Sequence, residues 1–335
     1  MKTIVTGGAG FIGSHLVDRL LADNHQVLVL DNFSTGRLDN LKQHKGNKRL
    51  VIKKVDLGTN SSNWIHWFRK IDWVFHLAAL ADIVPSIVKP LDYHHSNVDG
   101  TVNVLEASKK AGIKRFIYAA SSSCYGIPNV YPTSERAEIR PQYPYALTKY
   151  LGEQYVLHWG QIYKLPVISL RFFNVYGPRS RTSGTYGAVF GTFLAQKLAR
   201  KPYTVVGNGK QTRDFTYVTD IVEAMIKAVK SIITNEIFNV GSGRTYSINE
   251  LVKLLGSSLP AGRQVIHIPK RPGEPYCTQA DITKIKKVLG WKPKIKFEDG
   301  VAKVLEDIDY WRDAPIWTPK KIKVATREWF KYLGK

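Results

Sequence analysis

The sequence predicts an α/β fold with a doubly wound parallel sheet and a smaller, discontinuous C-terminal domain. Short apolar segments that resemble strands alternate with helical segments over roughly the first 175 residues, and this alternation favours parallel strands joined by crossover helices. A glycine-rich turn follows the first strand, and an aspartate ends the second. Together these features indicate a sheet that binds a dinucleotide at one edge.

The composition is that of a globular protein. The chain has 335 residues, of which 44% are hydrophobic, and this is enough for one large or two medium domains. No apolar run reaches about 18 residues, so we expect no membrane-spanning helix. The first strand begins at residue 2, which leaves no room for a signal peptide, and we expect a cytoplasmic protein. Cys124 and Cys277 lack the spacing of a zinc site, so we interpret both as free thiols and predict no metal site.

The chain is strongly basic. Its formal net charge is +22, and most of the excess lies in residues 171–335. A basic protein can bind nucleic acid or anionic small molecules. We interpret the lysines between residues 284 and 296 as solvated faces, so an anionic substrate is favoured over nucleic acid.

The first strand and its turn form a cradle for phosphate. Lys2–Thr6 is followed by a glycine turn and a helical pattern that reaches Leu21. Glycines let the backbone approach a pyrophosphate, and a helix N-terminus presents free N–H groups to it. The predicted contacts in this cradle are Gly7, Gly10, Phe11, Ile12 and Gly13.

The second strand, Gln26–Leu30, ends at Asp31. A carboxylate in this position accepts hydrogen bonds from a ribose 2′-hydroxyl and repels a 2′-phosphate. The pattern therefore favours NAD over NADP. We expect the following Asn32, Ser34 and Gly36 to contact the same end of the cofactor.

Three further strands are predicted at 50–55, 72–77 and 115–120, with a helix over 97–110 before the last of them. Ligands bind beyond the carboxyl ends of the strands in a doubly wound sheet. Residues at these strand ends and at the start of the helix therefore join the predicted cofactor site: Asp56, Leu57, Leu77, Ala78, Ala79 and Asn97. The serines Ser121, Ser122 and Ser123 follow the 115–120 strand at the same edge.

Tyr145 and Lys149 are four residues apart, so in a helix they lie on one face. A phenol titrates near pH 10 and is a poor base at neutrality unless a positive charge favours its phenolate. Lys149 would supply that charge. Chance alone supplies one or two such pairs among the 17 tyrosines, and a solvated helix face is the alternative interpretation.

The regular alternation stops near residue 175. The 236–240 segment is a predicted strand that returns to the sheet, which makes the second domain discontinuous. We predict a cofactor domain over 1–177 and 214–243, and a substrate domain over 178–213 and 244–335. Helices are predicted at 249–255 and 281–289, and the segment 313–319 separates two helices without a functional interpretation.

These motifs occur in the order of a known family. The glycine turn, Asp31, the serine cluster and the Tyr145/Lys149 pair resemble the extended short-chain dehydrogenase/reductases, specifically the nucleotide-sugar epimerases and dehydratases with a Rossmann fold. The resemblance continues through 171–179, 211–220, 239–241 and 271–274, and so covers nearly the whole chain.

The resemblance implies a role for each motif. Tyr145 would be the base, Lys149 would lower its pKa and hold the nicotinamide ribose, and a serine hydroxyl would bond the reacting sugar oxygen. Ser121 best matches the position of the family's reactive hydroxyl, and Ser122 and Ser123 remain alternatives for this role. A further alternative is a purely structural turn in which the serines bond their own backbone. The residues that resemble a diphosphate site are Asn174, Arg213 and Arg271. For Arg213 a structural salt bridge with Asp214 is the alternative, and for Arg271 a surface role.

The residues after Ser121 restrict the reaction. Family dehydratases carry Asp-Glu there and decarboxylases a glutamate, whereas this chain has Ser122, Ser123 and Cys124. We interpret Cys124 as a buried structural thiol. The remaining reaction is 4-epimerisation through a 4-keto intermediate.

Two positions bear on the sugar. Thr278 falls where a large residue in some 4-epimerases closes the pocket against 2-acetamido groups, so we expect UDP-N-acetylglucosamine and UDP-N-acetylgalactosamine, and also UDP-glucose and UDP-galactose. Asp82 would repel a uronic acid, unless it faces solvent. The resemblance also implies a homodimer formed through the Tyr145 helix. The alternative enzymes are a decarboxylase, a dehydratase, a uronate epimerase, or an epimerase that acts on sugars of another nucleotide. A further alternative is a non-catalytic regulator that binds NAD or nucleic acid.

Overall fold

The computed structural model describes residues 1–59, 61–180, 188–257, 259–260 and 262–334. The strands are β1 (Lys2–Thr6), β2 (Gln26–Asp31), β3 (Leu50–Lys54), β4 (Trp73–His76), β5 (Arg115–Ser121), β6 (Val167–Phe172), β7 (Asn174–Tyr176), β8 (Tyr203–Val206), β9 (Thr212–Arg213), β10 (Phe215–Tyr217), β11 (Glu236–Val240), β12 (Tyr246–Ser247) and β13 (Val265–Ile268). The helices are α1 (Phe11–Ala22), α2 (Ile83–Val88), α3 (Pro90–His94), α4 (Gly100–Ala111), α5 (Pro144–Tyr163), α6 (Val189–Leu198), α7 (Val218–Lys230), α8 (Ile248–Leu255), α9 (Thr283–Leu289), α10 (Phe297–Glu306), α11 (Pro319–Ala325) and α12 (Arg327–Leu333).

The central sheet has seven parallel strands in the order β11-β6-β5-β4-β1-β2-β3. The strand order reverses between β1 and β4, which is the switch point where such sheets bind ligands. The predicted doubly wound fold is therefore confirmed, and β11 returns to the sheet edge beside β6 as predicted.

Several boundaries differ from the prediction. The predicted 97–110 helix begins at Gly100, because a π-helical turn over His95–Asp99 precedes it and contains Asn97. Helix α8 begins at Ile248 after a capping box in which Ser247 and Glu250 bond each other's backbone N–H groups. Helix α9 begins at Thr283 rather than at 281. These shifts are small. They arise because capping contacts determine the ends of a helix more than its apolar pattern does.

Apolar side chains cover both faces of the sheet. One cluster joins α1 and α7 to the sheet through residues such as Leu16 and Ile221, and another joins α4 and α5 to the opposite face through residues such as Val104 and Val156. A third cluster gathers residues of α6, α8 and α10 around Tyr176 and Phe297. The division into two domains stays a proposal, and this third cluster supports it.

None of the helices in the described part of the chain combines the length and apolarity that crossing a membrane requires.

Candidate active site

A cavity of about 590 Å³ opens at the carboxyl edge of the sheet. Both the sheet and the C-terminal part of the chain contribute to its walls. Most of the residues predicted for the cofactor and the substrate line it: Gly7, Gly10, Phe11, Ile12, Gly13, Asp31, Asn32, Ser34, Asp56, Leu57, Leu77, Ala78, Ala79, Asp82, Ser121, Ser122, Ser123, Tyr145, Asn174, Arg213, Arg271 and Thr278. Gly36, Asn97 and Lys149 lie outside this lining.

The glycine turn has no space for side chains. Gly7 has a φ of +67°, and a Cβ added there would lie 2.8 Å from the backbone nitrogen of Ala78. A Cβ on Gly13 would lie 2.2 Å from the carbonyl oxygen of Gly7. The turn therefore brings β1, β4 and the start of α1 together, and the first N–H groups of α1, which have no partner within the helix, border the cavity.

Asp31 is 6% exposed and anchors the turn. Its two carboxylate oxygens accept hydrogen bonds from the backbone N–H groups of Ala9 (3.0 Å) and Phe33 (2.8 Å). Burial raises the pKa of Asp31, and these bonds oppose the shift. Each oxygen keeps a lone pair for a ribose hydroxyl. Gly36 leaves room for the Asp31 carboxylate, because a Cβ at position 36 would lie 2.8 Å from it.

Asn97 supports the cavity wall rather than lining it. Its side-chain amide accepts a bond from the backbone N–H of Leu80 (2.8 Å) and donates to the Leu80 carbonyl (3.0 Å) and to Thr148 Oγ1 (3.1 Å). The amide is thus used to hold the turn after β4 against α5. The direct contact of Asn97 with the cofactor stays a prediction.

A buried histidine that the sequence analysis did not single out lies behind the same turn. Thr6 Oγ1 accepts the backbone N–H groups of Leu77 and Ala78, both at 3.1 Å, so its hydroxyl donates to His76 Nδ1 at 2.7 Å. His76 Nε2–H then donates to Thr101 Oγ1 at 3.0 Å. Burial and the charge of Lys149 lower the pKa of His76 to about 3, which keeps the ring neutral. A histidine in an otherwise apolar strand was the available signal.

Tyr145 and Lys149 lie in the first turns of α5, beside the end of β5. Tyr145 borders the cavity, and burial raises the pKa of its phenol, while a hydrogen bond with Ser121 opposes the shift. Lys149 is 5% exposed, with its Nζ 4.2 Å from the centroid of the Tyr118 ring. Burial lowers the pKa of Lys149 to about 7, against the effect of Glu153. The structure therefore brings Tyr145 together with Ser121 and places Lys149 beneath the cavity wall.

An ion pair lies under these residues. Glu153 and Arg171 are 1% and 3% exposed, and Glu153 accepts bonds from Arg171 Nε at 3.0–3.1 Å and from Ser169 Oγ at 2.8 Å. Burial lowers the pKa of Arg171, but the bonds and charge of Glu153 outweigh it and raise the pKa. The pair joins α5 to β6 and so fixes the helix that carries Tyr145.

The serine cluster forms a 3₁₀ turn over Ser122–Tyr125. Ser121 caps it by accepting the backbone N–H of Ser123 at 3.2 Å, and the two hydroxyl oxygens are 2.8 Å apart. Ser121 thus caps the turn through Ser123 and lines the same cavity as Tyr145. Cys124 is 2% exposed, and burial raises the pKa of its thiol to about 12. The interpretation of Cys124 as a buried thiol is confirmed.

Asn174 and Thr278 contact each other across the two parts of the chain. Thr278 Oγ1 lies 3.0 Å from Asn174 Oδ1 and, as an acceptor, 3.2 Å from the backbone nitrogen of Asp214. Its hydroxyl therefore donates to Asn174. The position predicted to limit the size of the sugar also orients a residue predicted to bind the diphosphate.

The two predicted diphosphate arginines share one carboxylate. Arg213 Nη2 donates to Glu274 Oε1 at 2.7 Å, and Arg271 Nε lies 3.0 Å from Glu274 Oε2. The alternative salt bridge between Arg213 and Asp214 is wrong, because the Asp214 carboxylate accepts backbone N–H groups of Ser242, Gly243 and Ala280 instead. Arg271 lines the cavity, so the alternative of a surface role is also wrong.

Asp82 directly precedes α2 and is among the residues that line the cavity, and whether its carboxylate faces a bound sugar or solvent stays a prediction. Its carbonyl oxygen accepts a bond from the Tyr93 hydroxyl at 2.5 Å. This contact ties α2 to α3 and holds the Asp82 backbone in place.

Further lining residues were not predicted from the sequence. Glu274 was visible within the 271–274 motif, but its pairing with two arginines was not. Arg179 ends the 171–179 motif, but no role was predicted for it. Other lining residues had no local signal, and they include Arg37, Asn40, Tyr143, Tyr310 and Trp329. They come from segments far apart in the chain, and only the packing of the C-terminal part against the sheet brings them together.

This arrangement agrees with a family match. The family model described as GDP-mannose 4,6 dehydratase matches residues 4–304. The chain belongs to this family. The predicted resemblance to the nucleotide-sugar epimerases and dehydratases of the extended short-chain dehydrogenase/reductases is thereby confirmed.

Family relatives differ in their reactions. The chain is 36% identical over 303 residues to a putative UDP-glucose 4-epimerase of Methanocaldococcus jannaschii, which covers 90% of this chain and 96% of the relative. It is 33% identical over 316 residues to a UDP-N-acetyl-alpha-D-glucosaminuronate decarboxylase of Bacillus cytotoxicus, covering 91% and 97%. The chain is therefore similar to family members of both kinds.

A solved structure addresses the cofactor. The chain superimposes with a TM-score of 0.84 and 32% identity on UDP-glucuronic acid 4-epimerase of Bacillus cereus in complex with UDP-glucuronic acid and NAD, over 92% of this chain and 99% of that one. The prediction of NAD is confirmed at the level of the family. The glycine turn and the free lone pairs of Asp31 fit a dinucleotide in this chain as well.

Proposed function

We propose that the protein is an NAD-dependent UDP-sugar 4-epimerase. The observation that carries this proposal is that Tyr145 and Ser121 border one cavity at the edge of the sheet, while positions 122–124 hold no carboxylic acid. Elimination of water and loss of carbon dioxide would need an acid or base there, whereas inversion at C4 needs only one group that takes and returns a proton.

Each residue of the site has a separate role in the proposed reaction. The glycine turn and Asp31 would hold NAD, which would supply hydride-transfer chemistry at either face of sugar C4. Tyr145 accepts the proton of the 4-hydroxyl as the C4–H bond breaks, and Ser121 Oγ holds the same oxygen. Tyr145 then gives the proton back to the oxygen of the 4-keto sugar. The carbon is inverted, and no atom is lost from the sugar.

The charged groups of the cavity would bind the substrate diphosphate. Arg213, Arg271 and Asn174 border the same space, and guanidinium groups make forked contacts with phosphate oxygens. The glycine turn, Asp31 and the strand-end residues would hold NAD, with Lys149 near the nicotinamide ribose. The strong positive charge agrees with an anionic substrate.

The proposed sugars follow from two wall positions. Thr278 is small and leaves space for a 2-acetamido group, so the N-acetylhexosamine pair and the hexose pair of UDP-sugars both fit the proposal. Asp82 borders the cavity and disfavours a uronic acid by charge repulsion. A homodimer formed through α5 also belongs to this proposal.

Incubation of the purified protein with UDP-, GDP-, CDP- and dTDP-sugars, without added NAD, tests the reaction. We expect C4 epimers of UDP-N-acetylglucosamine and UDP-glucose, separated by chromatography and unchanged in mass. A product lighter by water or carbon dioxide would show a dehydratase or a decarboxylase instead.

Thr278→Tyr tests the choice of sugar. We expect turnover of the acetamido pair to fall at least about tenfold relative to the hexose pair, because the larger ring fills the space beside Asn174. Thr278→Val is the matched control, since it removes the bond to Asn174 at nearly constant volume and should affect both pairs alike. Equal losses on both pairs in the tyrosine variant would contradict a size filter at this position.

A further inference from the structure

The last two helices of the chain lie beyond the family match, which ends at residue 304. Of these, α12 packs against α2 next to the cavity, and it carries Trp329 into the cavity wall. Trp329 is 2% exposed and packs with Val84 of α2 and Ile322 of α11. A C-terminal segment outside the family match therefore supplies part of the candidate active site.

Trp329 holds the segment that contains Arg271 by two kinds of contact. Its indole Nε1–H donates to the carbonyl oxygen of Pro272 at 2.7 Å. Its ring centroid lies 5.4 Å from the guanidinium carbon of Arg271. The Trp329 ring also packs near Tyr143, with their ring centroids 6.2 Å apart. Tyr143 in turn stacks parallel to Tyr145, at 6.4 Å.

Arg271 needs such support. It lies in a segment between β13 and α9 that has neither helix nor strand, and a long side chain loses much conformational freedom when it is held in one geometry. Glu274 fixes one edge of the guanidinium at 3.0 Å. A contact with an aromatic face uses no N–H group, so the indole restrains Arg271 without using the donors that a phosphate needs.

We propose that Trp329 is a positioning residue that holds Arg271 ready for the diphosphate of the nucleotide sugar. This inference rests on the proposed function, because it takes Arg271 as a diphosphate ligand. The helix pair α11–α12 then acts as a strap: it packs on α2 and fixes, through one indole, a turn of the substrate site.

The test compares UDP with uridine, which lacks the phosphates. In Trp329→Ala we expect UDP to bind about tenfold more weakly, in the range of a lost cation–π contact in a desolvated site, with uridine unchanged. The KM for the nucleotide sugar should rise with it while kcat changes little. Trp329→Phe keeps a weaker ring contact, so its affinity for UDP should lie between those of the wild type and Trp329→Ala. Phe330→Ala on the same helix, whose side chain is 39% exposed, is the control and should bind UDP like the wild type.

A double variant separates positioning from general support. In an Arg271→Ala background, Trp329→Ala should weaken UDP binding no further, because its effect passes through Arg271. Equal losses for UDP and uridine, or additive losses in the double variant, would overturn the inference. If Trp329→Ala does not fold, the phenylalanine variant decides: unchanged UDP binding in it would overturn the inference as well.

The outcome also separates this inference from the proposed function. Wild-type protein that epimerises UDP-sugars while Trp329→Ala binds UDP normally would leave the function intact and remove only the role of Trp329. Wild-type protein that turns over sugars of another nucleotide would overturn the proposed base, and the comparison would then use that diphosphate and its nucleoside. Wild-type protein that binds no nucleoside diphosphate would overturn both.

Discussion

At the scale of the residue, burial decides which groups carry charge in the candidate site. Lys149 is almost fully enclosed, and this lowers its pKa, while Glu153 one turn later opposes the shift. Tyr145 is affected in the opposite direction, because burial disfavours its phenolate and raises its pKa. Burial thus disfavours the charged form of both groups, and it moves their pKa values apart.

The pKa of Lys149 predicts how stability depends on pH. Its folded pKa of about 7 lies below that of an unfolded lysine, near 10.4. Between these values the unfolded chain binds more protons than the folded one, so the free energy of unfolding rises with pH, by up to about 1.4 kcal/mol per pH unit from this residue. Urea unfolding of nucleotide-free protein at pH 7, 8 and 9 should show this rise in the wild type and not in Lys149→Met.

Lys110→Met provides the control for that measurement. Lys110 is exposed on α4, so its replacement should leave the dependence on pH as it is in the wild type. Identical slopes in the wild type and in Lys149→Met would show that Lys149 keeps its ordinary pKa when folded.

At the scale of the element, α5 is the part of the fold that the site depends on. It carries Tyr145 and Lys149 on one face, and Glu153 fixes it to β6 through Arg171. The spacing of Tyr145 and Lys149 was readable from the sequence, because helical neighbours are set by local geometry. The partner of Glu153 was not, since Arg171 reaches it only after α5 has packed on the sheet.

Glu153→Gln is expected to lower the free energy of unfolding by about 3–5 kcal/mol, because it leaves the guanidinium of Arg171 buried without a counter-charge. Chemical denaturation would measure this loss. Glu138→Gln is the comparison, since Glu138 pairs with Arg140 on the surface and its loss should not measurably change stability. A Glu153→Gln protein as stable as the wild type would show that Arg171 finds another partner.

At the scale of the whole molecule, the cavity is shared between the sheet and the C-terminal part of the chain. The sheet supplies the cofactor end, and segments after residue 200 supply Arg213, Arg271, Thr278 and Trp329. The sequence predicted most of these positions by resemblance, but the residues beyond the family match carried no signal.

The homodimer is a prediction at this scale. Helix α5 exposes apolar side chains, among them Tyr155 at 39% and Ile162 at 53%, and such residues on one helix are typical of an interface. Light scattering after gel filtration should give twice the mass of one chain. The double replacement Tyr155→Glu and Ile162→Glu should give one chain, whereas Ile232→Glu, at a position 94% exposed elsewhere, should leave the dimer intact. A wild-type protein with the mass of one chain would contradict the prediction.

The sequence by itself determined the sheet, the glycine turn, Asp31 and the Tyr145/Lys149 pair, because each depends on short-range patterns: alternation, backbone freedom and helical spacing. Tertiary structure decided that Asn97 supports a turn, that Glu274 joins two arginines, and that Trp329 reaches Arg271 from 58 residues away. These contacts join residues that are distant in the chain, so they exist only once the helices and loops between them have packed. No local pattern encodes where a far segment of the chain comes to rest.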